Sequence, residues 1–173
     1  ESIGDRAFWN DFALKGITIP ASVKKIGNTT DNSREVFYQC YALENISVSN
    51  GNTAYKSVDG VLYTADGTTL IQYPQNKTDK AYKMIDEATK AASLGNQAFS
   101  GNKEVTSVLL EKAPTTVGES VFSSCTSLTN VTLPDDMKEL QDGMFAFCTA
   151  LKTLKFPAQL NRIGKACRRF GYP

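Results

Sequence analysis

The side chains with chemical reach in this 173-residue sequence are four cysteines, Cys40, Cys125, Cys148 and Cys167, and a scatter of carboxylates, with no histidine among them. Without imidazole the commonest general base and metal ligand is missing, and with it any Ser-His-Asp or Cys-His pair. The acidic pairs Asp86-Glu87 and Asp135-Asp136 are adjacent in sequence. Neighbours in a corner generally point apart, so these read as solvated turns and not as an acid and a base sharing a substrate. No Cys-x-x-Cys site and no phosphate-cradling glycine loop occurs. The expectation is no catalytic residue, no metal site and no cofactor. A net charge of +1, with 41% hydrophobic and 21% charged residues, excludes a disordered chain and a nucleic-acid-seeking field. No run of about 18 apolar residues is present to span a membrane. Asn28, Asn45, Asn76 and Asn130 open Asn-x-Ser/Thr triplets, which are short enough to recur by chance and are assigned no role.

Spacing says more than composition. From Val117 to Leu140 the apolar residues fall at Val121, Phe122, Cys125, Leu128, Val131, Leu133 and Met137, with Gly118 after the first and Pro134 after Leu133. Leu128-x-x-Val131-x-Leu133 ends in the alternation of a short strand with one buried face, and Pro134 stops it by withholding a backbone donor. Val121, Phe122 and Cys125 are spaced as on one face of a helical or 3₁₀ turn. The same pattern begins again at Leu140, 23 residues on, and recurs from Ile3 and from Leu94. A period of this length points to a stacked repeat solenoid. One copy buries roughly 10–20 kcal/mol of apolar side chain against an ordering cost of about 35 kcal/mol, so no copy folds alone.

The composite motif Ile/Leu-Gly-x-x-Ala-Phe-x-x-Cys-x-x-Leu-x-x-Ile-x-Ile-Pro-x-x-Val-x-x-Ile resembles the leucine-rich repeat of BspA-like surface proteins of bacteria and some protists. The resemblance covers nearly the whole chain. It implies an α/β repeat solenoid, a leucine-rich repeat right-handed superhelix of ~23-residue repeats with short parallel strands and short helical or 3₁₀ turns. It also implies an extracellular binding or adhesion surface, secreted or on the cell surface, and not an enzyme. Glu1 opens in mid-repeat without a charged start leading into an apolar segment. That reads as a mature or trimmed chain whose export signal is absent.

Residues 1–173 are expected to form one domain, with copies at 3–25, 26–49, 94–116, 117–139 and 140–162, a degraded copy at 75–93 and a partial, capping copy at 163–173. Asp11 stands at the cysteine position of the first copy and weakens its interior, and Asn102 stands there in the fourth. The polar stretch Asn28 to Ser33 delays the second copy by six residues and should bulge as a loop. Residues 52–74 depart from the pattern. Val58–Tyr63 and Thr69–Tyr73 read as two strands of an inserted hairpin closed at Asp66-Gly67. It resembles the Ser-Val-Asp-Gly-Val-Leu-Tyr hairpin that interrupts BspA-like repeats. Beyond it Tyr82-x-Met84 reads as a worn repeat strand, with Ile85 and Ala88 in the places of proline and valine. Ala88 to Ala92 is a candidate helical turn.

Cys40, Cys125 and Cys148 share one repeat position, which suits an interior row of free thiols. Cys125 and Cys148 sit in adjacent copies at a strand spacing that also permits a disulfide. Segments 14–19, 43–48, 105–110, 128–133 and 151–156 are expected to pair in parallel as one sheet. Its outward positions, Lys15, Thr18, Glu44, Ser47, Thr106, Leu109, Thr129, Thr132, Lys152 and Lys155, form the candidate contact surface for an extracellular protein or a glycan, with no nucleic acid and no membrane insertion involved. Small polar residues dominate, so binding would be weak per repeat and multivalent. Trp9, Tyr38, Tyr55, Tyr63 and Tyr73 are alternative anchors. The competing class is a structural spacer that displays another domain and has no ligand of its own. A glycan-processing enzyme lacks an acid or base to carry it.

Overall fold

The computed structural model describes residues 1–27, 35–84 and 91–168. In chain order its strands are β1 (Ser2–Ile3), β2 (Gly16–Ile19), β3 (Lys25–Ile26), β4 (Asn45–Val48), β5 (Tyr55–Val58), β6 (Val61–Thr64), β7 (Thr69–Gln72), β8 (Ala81–Met84), β9 (Ser93–Leu94), β10 (Ser107–Leu110), β11 (Thr116–Val117), β12 (Asn130–Thr132), β13 (Glu139–Leu140) and β14 (Arg162–Ile163). They stack as a β-solenoid of about six turns. One parallel row holds the long strands, β2 with β4 and β8 with β10 and β12. A second holds the return strands, β1 with β3, β7 with β9 and β11, and β13 with β14. Val108 faces Val131 and Leu140 faces Ile163, one 23-residue period apart. Gly16 faces Asn45, six residues beyond that period. The extra residues therefore leave the ladder in register. The loop expected over 28–33 and the readings on 85–90 and 169–173 lie outside the described residues.

The expected helical turns are corrected. Among the described residues only Glu35–Phe37 is helical, as one 3₁₀ turn. Elsewhere left-handed residues stand two before and two after the aromatic position: Arg6 and Asn10 around Phe8, Gln97 and Gly101 around Phe99, Ser120 and Ser124 around Phe122, Gly143 and Phe147 around Phe145. Left-handed residues cannot continue a right-handed helix. What they achieve is a division of backbone donors. The N–H groups of Gln97, Phe99 and Gly101 reach the next rung, at Glu119, Val121 and Ser123, while those of Ala98, Ser100 and Asn102 close local turns. A third ladder between rungs thus runs along the turns, and it satisfies donors that a single helical turn would leave open.

The interior is filled by columns of like residues. Phe99, Phe122 and Phe145 are fully buried and continue a stack that Tyr73 begins, with ring centroids 4.6, 5.0 and 5.6 Å apart. Phe8 and Phe37 form the same stack at the other end, 5.6 Å apart and 3° from parallel. All four cysteines are free and buried. The thiols of Cys40, Cys125 and Cys148 donate to the carbonyls of Phe8, Phe99 and Phe122 in the preceding rung, at 3.0, 3.2 and 3.0 Å. A small apolar group with a weak donor is what this position takes. Where the column holds an amide or carboxylate instead, the polar group is used. Asn102 donates to the Pro74 carbonyl and accepts the N–H groups of Glu104 and Val105. Asp11 accepts those of Ala13 and Leu14, so it caps its turn.

Rung follows rung too closely for a side chain at some corners. A Cβ on Gly118 would lie 2.3 Å from the Asn96 backbone nitrogen, and one on Gly164 would lie 2.4 Å from that of Asp142. That close approach accounts for the glycine of the repeat motif.

The hairpin region differs from its sequence reading. Val58–Tyr63 is not one strand, because Asp59 and Gly60 take φ of 48° and 76° and reverse the chain between β5 and β6. Positive φ at both central residues is the type I′ signature, which matches strand twist. The Asp66-Gly67 corner turns the chain again into β7. β7 then pairs in parallel with β9, and Tyr73 enters the aromatic column. The hairpin is therefore tied into the stack on both sides.

Candidate binding surface

The expected contact residues do not tile one continuous face. Thr18 and Ser47 lie side by side on β2 and β4. Leu109 and Thr132 lie side by side on β10 and β12, with Lys83 of β8 completing the row. These are two separate sheets, so the expectation of a single sheet is corrected. The cause is the Asp59-Gly60 turn, which occupies the slot beside β4. Ile46 donates its N–H to the Gly60 carbonyl at 2.9 Å, and Ser57 Oγ donates to the Ile46 carbonyl at 2.6 Å. Glycine suits this position because its φ of 76° is left-handed, and a Cβ would also displace the Asn45 side chain, 2.4 Å away at Oδ1.

The last expected strand, 151–156, is assigned no strand structure and makes no ladder with β12. Phe156 is 51% exposed where its equivalents Ile19 and Leu110 are buried. With that inward anchor out of the core, the end of the segment does not follow the strand path, although Leu151 stays fully buried and Arg168 donates to the Leu151 and Lys152 carbonyls. Lys152 and Lys155 are exposed on it, and Lys152 Nζ donates to the Thr149 carbonyl.

Several surface side chains are already engaged. Thr106 Oγ1 donates to the Lys80 carbonyl at 2.9 Å and Thr129 Oγ1 donates to the Thr106 carbonyl at 3.0 Å, so both hydroxyls brace the ladder. The Lys15 carbonyl accepts the Glu44 N–H at 2.8 Å. Glu44 in turn accepts Asn76 Nδ2. Thr18 and Thr132 remain exposed, while Ser47 and Leu109 are half-buried. Of the alternative aromatic anchors, Tyr63 and Tyr73 are core residues and Trp9 is 47% exposed beneath the Arg6 guanidinium. Tyr55 accepts the Ile26 N–H, and Tyr38 is half-buried.

Between the two patches of strand face lies a cleft of about 200 Å³. Val58, Asp59, Val61 and Tyr63 form one wall, β8 the other, and Tyr73, Lys77 and Asp79 lie between them. Tyr73 donates its hydroxyl to Asp79 Oδ2 at 2.8 Å, and Lys77 Nζ sits 3.0 Å from the same oxygen. Desolvation raises the Asp79 pKa, but the hydrogen bonds from Lys77 and Tyr73 and the Lys77 charge outweigh it, so the net shift is downward. Burial first, and then the carboxylate it serves, push the Tyr73 phenol above its ordinary value. The carboxylate is thus held ionised and the phenol neutral. Lys83, on the β8 wall, pairs with Glu111 at 2.7 Å. The hairpin was legible as a feature, but the cleft was not, because Asp59, Lys77 and Asp79 belong to no common sequence pattern.

A second concavity of about 460 Å³ lies on the return side, between Thr115–Val117 and Asp136–Gln141. There β11 and β13 are not paired. Pro114 takes the corner position that Val23 and Met137 fill elsewhere with larger buried side chains. Among the described residues no group of histidine, cysteine and carboxylate side chains is arranged to hold a metal. No helix among them is long and apolar enough to cross a membrane.

The comparisons with known proteins agree with this architecture. A model of the BspA type leucine-rich repeat region matches six copies over residues 1–59 and 79–169, omitting most of the hairpin. Among solved structures, the pneumococcal vaccine antigen PcpA is 28% identical with a TM-score of 0.79, covering 95% of this chain and 38% of that one. A leucine-rich cell surface protein from Faecalibacterium prausnitzii is 30% identical with a TM-score of 0.75, covering 94% and 44%. A leucine-rich repeat protein from Bacteroides ovatus is 26% identical with a TM-score of 0.53, covering 97% and 38%. The chain therefore spans less than half the length of these relatives. No curated protein matches its sequence. Six matched copies, a 23-residue register and the stacked phenylalanine and cysteine columns place the chain in the family of BspA-type leucine-rich repeat proteins.

Proposed function

We propose that this chain is a non-catalytic, extracellular binding module that engages a protein or glycan of a host or neighbouring cell through its outward strand face and the adjoining hairpin. The observation that carries the reading is where free surface lies. The solenoid interior is filled by its own side chains, fully buried from Ile19 to Leu151. Recognition then falls to the repeated outer positions and to the cleft that interrupts them. Relatives named as a vaccine antigen and a cell surface protein support a location outside the cell. The two patches of strand face favour partners that contact several rungs at once, where weak sites add through effective concentration.

The test is a capture experiment with the purified chain on extracellular-matrix proteins and a glycan array. It is repeated with a triple variant carrying Thr18→Lys, Leu109→Lys and Thr132→Lys and with Asp59→Lys on the hairpin. These positions are solvent-facing or half-buried, so the fold tolerates them, and far-UV circular dichroism verifies it. Binding that falls at least tenfold in one variant supports the surface. A partner bound equally by both variants moves the site to the Trp9 and Phe12 side or to the ends. No partner on either panel leaves the spacer reading.

A further inference from the structure

We propose that the cleft between the Asp59-Gly60 turn and β8 is a subsite for one neutral sugar residue of a glycan. The inference rests on the binding reading above and names a ligand class for one part of that surface.

Size comes first. Pockets for drug-sized ligands run to roughly 300–1,000 Å³, so a cleft of about 200 Å³ takes one sugar ring and not a stretch of folded chain. Charge comes next. The lining carries Lys77 and Lys83 against Asp59 and Asp79, and Lys83 also pairs with Glu111, so the cleft has no cationic excess to draw an anionic ligand and its lysines oppose a cationic one. What remains is a ligand whose groups both donate and accept at short spacing, as vicinal hydroxyls do.

Preorganisation is the third observation. Asp79 Oδ2 is fixed by the Tyr73 hydroxyl and by Lys77, whose side chain is only 18% exposed. Tyr73 is itself locked in the aromatic column, 4.6 Å from Phe99 and 5.8 Å from Tyr82. The Asp79 side chain is nevertheless 51% exposed, so the carboxylate is held in place by one oxygen while the rest of it meets solvent. A rigid acceptor of this kind loses little entropy on binding. Tyr82, half-buried, lines the same cleft and offers the aromatic body against which the apolar face of a sugar ring packs.

The experiment is saturation-transfer NMR on the purified chain with neutral oligosaccharides ending in glucose, galactose, mannose or N-acetylglucosamine, alongside sialylated and sulfated glycans and a peptide library. The expected result is millimolar binding of at least one neutral glycan, with transfer concentrated on a single ring. Asp79→Asn and Asp59→Asn each weaken it, Asp79→Asn by at least tenfold, while Lys165→Ala, at an exposed position just after β14 and outside the cleft lining, leaves it unchanged. Asp79→Asn keeps an acceptor oxygen for Tyr73, Asp59→Asn keeps a residue type that tolerates the left-handed turn, and their thermal midpoints are compared with that of the parent chain. The idea is overturned if no neutral glycan gives a transfer signal, if neither asparagine variant alters binding, or if charged glycans or peptides compete more strongly for the cleft. A protein captured through Thr18, Leu109 and Thr132 while the cleft stays silent would overturn this inference and leave the broader binding reading standing.

Discussion

Replacing Phe122 by alanine tests the stacked interior most directly. The ring is fully buried and lies between Phe99 at 5.0 Å, tilted 34°, and Phe145 at 5.6 Å, within 5° of parallel. Burial of such a side chain contributes about 1.5–3 kcal/mol. Two ring neighbours add about 0.5–1.5 kcal/mol each beyond area. The rings above and below are fixed by inter-rung bonds, from Phe99 N–H to Val121 and from Phe145 N–H to Cys167, so the hole cannot readily collapse. The expected loss is about 4 kcal/mol, inside the usual range of about 3–5 for this substitution. Phe145→Ala should cost a similar amount, because Phe145 is equally buried. Phe8, half-buried with one ring neighbour, should cost about 2 kcal/mol when truncated. Urea unfolding followed by far-UV circular dichroism reads all three. Losses below about 1 kcal/mol for Phe122→Ala and Phe145→Ala, or equal losses for Phe8→Ala and Phe122→Ala, would refute the stacked column.

Other expectations follow from the same geometry. Cys125 and Cys148 should resist a thiol reagent in the native chain and react once it is denatured, since burial raises both thiols, Cys148 to about 12; rapid native labelling, or a linking disulfide in the mass spectrum, contradicts this. Because those thiols are raised in the fold, the stability they contribute is complete below the ordinary value of 9.0 and is lost as pH climbs from there towards the folded values, so urea midpoints should fall above pH 9. Gly118→Ala should destabilise by roughly 1–3 kcal/mol through its contact with the Asn96 backbone, whereas Gly4→Ala, with nothing within 4 Å, should be close to neutral; equal effects would remove the close-approach argument. Asp66 accepts Thr64 Oγ1, the Thr68 N–H and Thr68 Oγ1, which hold its pKa down. Its contribution is therefore present above the ordinary carboxylate value and is lost as pH falls below it through the folded value. Asp66→Asn should flatten the acid limb of the stability curve below the ordinary carboxylate range, and an unchanged limb would count against the reading.

Sequence alone determined the period and the inward columns. Apolar spacing fixed which side chains of Leu128-x-x-Val131-x-Leu133 share a face, and the 23-residue offset named their neighbours, because in a stack each rung touches only the next. The shared place of Cys40, Cys125 and Cys148 was readable for the same reason, and Tyr82-x-Met84 was readable as a strand despite its worn flanks. The turns were not. Spacings of three and four fit a helix as well as a chain that passes twice through left-handed φ, and residues such as Arg6, Gln97 and Ser120 carry no local signal for it. Only the bonds to the neighbouring rung make that conformation favourable. The division of the strand face was also a tertiary decision. Two Asp-Gly pairs invite a turn, and which one closes against β4 depends on a bond from Ile46, 14 residues away in sequence, to Gly60. The cleft follows from that choice, since a turn seated in the slot of a missing strand leaves space beside β8 that no periodicity encodes.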